Sequence, residues 1–202
     1  MNNESIDKHI YGGHMVYLVS FFTALTMLHS TAIAQRSEAF GKTVVNSNIT
    51  DAEVQNMQEA WGKALLQISK DFETGGIKKA TRTANQVLDS AYGYNMGAVL
   101  FKPTLTTVDH TFRTTREGAL AYFVGGNKNF PDKGFALKGW EKYEFKNAAV
   151  QIHGDVALTM GNVFLTDKKG NVTKVDKTWA FKKDDQGKLR IILHHSSLPY
   201  TE

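Results

Sequence analysis

Two imidazoles and two hydroxyls stand side by side at His194-His195-Ser196-Ser197, at the end of a segment that otherwise alternates like a core strand. Leu189, Ile191 and Leu193 alternate with Lys188, Arg190 and Ile192, and a period of two sends successive side chains to opposite faces. Carried to the strand's end, that alternation puts His195 and Ser197 with the leucines, and His194 and Ser196 on the other face. If the leucine face is the core face, one imidazole and one hydroxyl point into the protein. A neutral histidine, with a reference pKa of about 6.5, is suited to accept a proton from water near neutral pH. Tyr122 and Thr104 offer two further groups that both donate and accept. Each also has a purely structural use: His195 as a satisfied buried imidazole, Ser197 as a strand-end hydroxyl, Tyr122 as a core aromatic and Thr104 as a turn residue after Pro103.

The chain contains no cysteine, which excludes a thiol nucleophile and thiolate-rich metal sites. A catalytic zinc needs about three protein ligands converging on one point. The histidines beyond residue 34 are His110, His153, His194 and His195. The last two diverge to opposite faces of a regular strand, His153 falls in a tight turn and His110 in a loop beside Asp109. Spacing therefore assembles no metal site, and a metal ligand set stays unknown from the residues alone.

The elements that must carry these groups are readable. Thr50-Asp51-Ala52-Glu53 is a capping box that opens an amphipathic helix with Val54, Met57, Trp61, Ala64, Leu65, Ile68 and Phe72 on one stripe. Gly75-Gly76 stops it, and a second helix runs from Ile77 to about Ala91, with Ala80, Ala84, Val87 and Leu88 inward and Gly93 as terminator. Ala98 to Phe101 reads as a short strand, and Thr114-Thr115-Arg116-Glu117 as a second capping box before a short helix closed by Gly125-Gly126. Strands are expected at Trp140–Phe145, Ala149–His153, Val156–Leu165, Val172–Phe181 and Leu189–Ser197. Helices followed by a meander predict an α+β fold, with the N-terminal helices packed in a strongly curved, mostly antiparallel sheet that forms a cone with an internal pocket.

An apolar run from Met15 to Leu28 follows Lys8 and leads to Ala32-Ile33-Ala34, the layout of a cleavable signal peptide over residues 1–34. A membrane anchor is the rival, but the run is shorter than the roughly 20 apolar residues that span a bilayer. Residues 35–49 read as a flexible segment and 50–202 as one catalytic domain. Removing 34 of the 202 residues leaves 168, enough for one sizeable core. The leader takes Lys8, Glu4 and Asp7 with it and moves the net charge from +4 to +5. That charge is spread without a Lys/Arg block, so nucleic acid is not an expected partner, nor is a membrane once the leader is gone.

Four separated motifs, Lys102-Pro103-Thr104, Gly118 to Gly126, Phe130 to Leu137 and His194 to Tyr200, resemble the iota-class carbonic anhydrases. The resemblance covers the chain from about Thr50 onward and implies a cone similar to that of nuclear transport factor two. It also implies reversible hydration of carbon dioxide to bicarbonate and a proton, in a homodimer. By motif, the family's threonine, tyrosine and serine that hold bicarbonate and water fall on Thr104, Tyr122 and Ser197; the proton would then pass to His195, or through Tyr122 and water. Family members described as metal-free make a cofactor-free site the leading expectation; others described with zinc or manganese leave those metals as the alternative. Joined to the leader, the resemblance places the enzyme outside the cytoplasm, in a periplasm.

Two readings compete. An isomerase or cyclase acting on a small hydrophobic ligand in the same fold would need an inward carboxylate as proton shuttle, for which Asp176 and Glu141 are the candidates. A non-enzymatic ligand-binding or oligomerisation domain would need none of the clustered hydroxyls.

Overall fold

The computed structural model describes residues 47–106 and 110–202, so the signal-peptide and linker expectations for residues 1–46 lie outside the described residues. Helix α1 (Asp51–Ala91) is opened by the expected box: Thr50 Oγ1 accepts from Glu53 N, and Thr50 N donates to the Glu53 carboxylate. At Gly76 the backbone turns to φ 66°, ψ −169°, which divides α1 into two helical halves where the glycine pair foretold a stop. Asp71 holds the halves together. It accepts from Thr83 at 2.6 Å across the break and pairs with Lys79; the Thr83 bond, against the cost of burial, keeps its carboxyl below the usual aspartate range.

Strand β1 (Leu100–Lys102) and helix α2 (Arg116–Val124) follow. Here Thr115 is the N-cap and accepts from Gly118 N, one residue later than the expected box. A 3₁₀ turn (Phe135–Leu137) leads into a long meander of β2 (Trp140–His153), β3 (Val156–Asp167), β4 (Val172–Lys183) and β5 (Leu189–Ser197). The two short strands expected at 140–145 and 149–153 are one strand, because the β2–β3 pairing passes from Asn147 to Ala149 and leaves Ala148 as a bulge.

The sheet order is β1-β5-β4-β3-β2, antiparallel except for the parallel β1–β5 edge. The fold is the expected α+β class, and the sheet is not closed. Helix α1 lies against the sheet with Val54, Trp61, Leu65, Ile68, Ala80, Ala84 and Leu88 buried, while Phe72, the last residue of the expected stripe, is partly exposed. Close approach is built in at Gly62, where an added Cβ would sit 2.5 Å from the Tyr143 ring. Arg190 ties helix to sheet: its guanidinium pairs with Asp184 and donates to the carbonyls of Asp89 and Ser90 at the end of α1.

Candidate active site

Strand β5 does not keep one parity. Ala180 pairs with Leu193 but Phe181 pairs with Ile191, so Ile192 has no partner and bulges. Beyond an extra residue the alternation inverts. Before the bulge Ile191 is inward; after it His194 and Ser196 are buried, while His195 is exposed and Ser197 half-buried. The expected pairing of His195 with Ser197 on one face holds, but that face is the outer one, which corrects their placement beside the core leucines. Both line an outer hollow of about 340 Å³ with Met160, Asn162, Asp176 and Thr178.

Tyr122 and Thr104 are brought together elsewhere. Tyr122 is buried on α2, its ring stacked on Phe135 and edge-on to Phe101. Burial pushes its phenol above the usual tyrosine range, against hydrogen bonds from the Thr104 side chain and the backbone amides of Leu105 and Thr104. The group is therefore a neutral phenol at physiological pH. It lines a hollow of about 390 Å³ with Leu105, Pro131, Asp132, Lys133 and Leu137. Behind it, the wholly buried Arg113 grips Asp132 through Nη2 at 2.7 Å and Nε at 3.1 Å, donates to the carbonyls of His110 and Phe112, and lies over the Phe130 ring.

The β1–β5 register pairs Leu100 with Leu193, Phe101 with His194 and Lys102 with His195. Two residues further on each chain come Thr104 and Ser197, so these two candidates lie at neighbouring positions beyond that pairing. Pro103 and Ser196, both buried, separate them from the last β1–β5 pair, while Ser196 and Ser197 remain paired with Lys177 and Asp176 of β4.

The inward side of β4 and β5 carries a polar chain that alternation did not foresee. Trp61 Nε1 donates to the Tyr92 hydroxyl at 3.0 Å; that hydroxyl lies 2.9 Å from His194 Nδ1, and His194 Nε2 lies 2.8 Å from Lys177 Nζ. Phe101 and Trp179 stack on the two sides of the imidazole. Burial, and then the neighbouring Lys177, holds the His194 pKa well below the usual value. Burial alone brings Lys177 down to about 7. A charged Lys177 can only donate to Nε2, which puts the His194 proton on Nδ1; with a neutral amine Nε2–H can donate to Nζ while Tyr92 donates to Nδ1, the arrangement in which the Tyr92 hydroxyl proton has an acceptor. A run of three apolar residues, Ile191-Ile192-Leu193, was the sequence signal for the inversion, since strict alternation cannot bury all three on one face.

His153 ends β2 at its hairpin, and His110 is an exposed residue edge-on to Phe130. Among the described residues, no three or more His, Asp or Glu side chains gather closely enough to hold a metal ion. The carboxylates that an isomerase would need are not inward either: Asp176 is on the outer face accepting from Asn162 at 2.7 Å, and Glu141 is exposed.

Residues 52–198 match the family model described as metal-independent carbonic anhydrase. The chain belongs to that family. A metal-independent carbonic anhydrase of Nostoc sp. (strain PCC 7120 / SAG 25.82 / UTEX 2576) is 52% identical over 190 residues, 91% of this chain and 93% of that protein. Among solved structures, an iota-carbonic anhydrase from a cyanobacterium, crystallised with bicarbonate, matches with a TM-score of 0.77 and 59% identity over 80% of this chain and 99% of that one. Membership of a metal-independent family carries the cofactor-free expectation rather than the zinc or manganese one.

Proposed function

We propose that this carbonic anhydrase hydrates carbon dioxide at the Tyr122–Thr104 hydroxyl pair, with Ser197, which the β1–β5 register brings level with Thr104, as the third hydroxyl that the family motif indicates. The observation that carries the placement is the Tyr122 phenol, buried and neutral beside Thr104 at the edge of a hollow. Neutral hydroxyls orient a water; they do not bring its pKa from 15.7 to about 7 as a bound zinc does. Their contribution is alignment of water against carbon dioxide, which can supply several kcal/mol by making an encounter effectively unimolecular. The proton released needs an acceptor. The outer His195 is reached by solvent, and it serves as a shuttle to bulk water rather than as the inward base first expected.

Ser197 is the serine that the family motif indicates, and Ser196 is the one whose side chain is buried. Stopped-flow carbon dioxide hydration separates the roles: Tyr122→Phe and Thr104→Val are expected to lose at least a hundredfold in kcat/KM with an unchanged circular dichroism spectrum. Near-normal rates in both would end this placement.

The homodimer implied by the resemblance is supported by Leu158 and Met160, apolar and exposed on the outer face of β3. A sedimentation experiment that finds a monomer at micromolar concentration would exclude it. The apolar run from Met15 to Leu28 supports export, and fractionation of expressing cells tests a periplasmic destination.

A further inference from the structure

Lys177 and Ser196 are direct cross-strand partners on β4 and β5, and both are buried on the inward face, 6% and 1% exposed. Neither has the partner that its chemistry asks for. Among the described residues the Ser196 hydroxyl has no hydrogen-bond partner, although it is cut off from solvent. Such a group costs about 1–3 kcal/mol, and native structures retain few of them without a reason. The Lys177 amine touches His194 Nε2 and the faces of Trp61 and Trp179, at 4.2 and 5.3 Å from the ring centroids. Cation–π contact offsets only part of the cost of burying an ammonium, which proteins otherwise meet with a carboxylate.

We propose that Lys177 and Ser196 form an anion subsite that takes the bicarbonate of the reaction, one oxygen accepting from the lysine ammonium and another from the serine hydroxyl. The inference rests on the carbonic anhydrase reading and deepens it, because it names groups that recognise the charged product and that the motif-based set of Thr104, Tyr122 and Ser197 does not include.

The surroundings fit an anion. The groups facing Lys177 are Trp61 from α1 and His194 from β5, with Tyr92 behind His194. Asp176, the acidic neighbour in sequence, is on the opposite face and bonded to Asn162. Lys102 adds positive charge at the strand tip, where its Nζ donates to the Ser196 carbonyl at 2.8 Å. An amine brought down to about 7 by burial is half protonated at neutral pH. An arriving anion favours the protonated form, and its departure releases the amine again. With the ammonium engaged, Lys177 donates to His194 Nε2 and fixes the tautomer with the proton on Nδ1.

Bicarbonate titration followed by the fluorescence of Trp61 and Trp179, the indoles beside Lys177, reads binding apart from turnover; carbon dioxide hydration is measured on the same samples. In Lys177→Met the affinity for bicarbonate is expected to fall tenfold or more, and in Ser196→Ala at least threefold, with thermal melting confirming that each variant is folded. Should Lys177→Met not fold, Ser196→Ala and Lys177→Arg are read alone, the arginine retaining binding and the alanine losing it. A smaller change in Lys177→Met, or in Ser196→Ala where it stands alone, overturns the subsite. If the hydratase activity of the wild type is intact in that case, the functional reading survives. A wild type that binds bicarbonate through these residues but does not hydrate carbon dioxide keeps the subsite and ends the hydratase reading.

Discussion

The His194 ring lies flat on the Phe101 ring, with centroids 4.4 Å apart and planes 16° from parallel. The parallel β1–β5 pairing places the two residues opposite each other, so the shortest strand of the sheet sets the face on which the last strand presents its imidazole. Phe101 also meets Tyr122 edge-on at 5.5 Å, and one phenylalanine thus touches both the inward polar chain and the candidate phenol.

Replacing Phe101 with alanine removes a ring 1% exposed. The expected loss is about 3–5 kcal/mol, the range for a buried phenylalanine cut to alanine, read from urea unfolding. Phe101→Leu retains part of the volume and is expected to cost less than half as much. Equal costs for the two variants would mean that stacking on His194, rather than volume, dominates.

The Arg113–Asp132 pair is buried on both sides, with side chains 0% and 5% exposed. Asp132→Asn leaves a guanidinium in the interior with only carbonyl and aromatic neighbours, and is expected to destabilise by about 3–5 kcal/mol. The double variant Arg113→Met, Asp132→Leu removes both charges and is expected to recover more than half of that loss. Because Asp132 lines the hollow at Tyr122, hydratase activity should fall in the single variant even below its unfolding midpoint. A double variant no more stable than the single one would contradict the account.

Gly161 sits where β3 passes the Ala148 bulge. A Cβ there would collide with the carbonyl oxygen of Lys146 and come within 2.7 Å of Asn147 Cα and 2.9 Å of Ala148 N, all backbone. Asn147 and Gln58 exchange hydrogen bonds of 2.9 Å between their amide groups, so forcing β2 away also breaks the tie to α1. Gly161→Ala is expected to cost about 1–3 kcal/mol or more, as overpacking does. Gly170→Ala is the comparison: its φ is 81° but open space surrounds it, and only the backbone penalty of about 1 kcal/mol should appear. Similar denaturation midpoints for the two variants would show that the bulge yields.

Local rules were enough where one residue's chemistry decided the structure. The Thr50–Glu53 box, the break at Gly76, the stop at Gly125 and the bounds of β5 follow from caps, glycines and alternation. Thr104 and Tyr122, far apart in the sequence, lie beside one another. What alternation could not reach was the bulge at Ile192, since an unpaired residue is a property of two strands and β5 alone shows only an excess of apolar residues. The consequence is concentrated in the site: one inserted residue exchanges His195 and Ser197 for His194 and Ser196 on the inward face. The contact of Lys177 was hidden for a related reason. A period of two puts Lys177 on the face of Val175, Trp179 and Phe181, so its inward side was legible, but its contact with His194 depends on the strand paired beside it.

Stability should rise with pH because of Lys177. The folded value of about 7 lies below the ordinary 10.5, so between these limits the unfolded chain binds the extra proton and each pH unit upward favours the folded state. Below pH 7 the amine is protonated in both states and the burial penalty is fully present. His194, with its depressed value, gives a rise of the same sign only below about pH 6.5. The buried phenols of Tyr92 and Tyr122, with values pushed up by burial, reverse the trend only once unfolded tyrosines ionise near pH 10. The window from about pH 7 to 9.5 therefore isolates the lysine, and the gain across it should be on the order of a few kcal/mol at about 1.4 kcal/mol per unit. In Lys177→Met the slope is expected to vanish and stability at pH 7 to exceed that of the wild type, since an apolar chain of similar length replaces a buried amine. Unfolding free energies from urea titrations at four pH values in that window check both, and a wild-type slope that survives in Lys177→Met would assign it to another group.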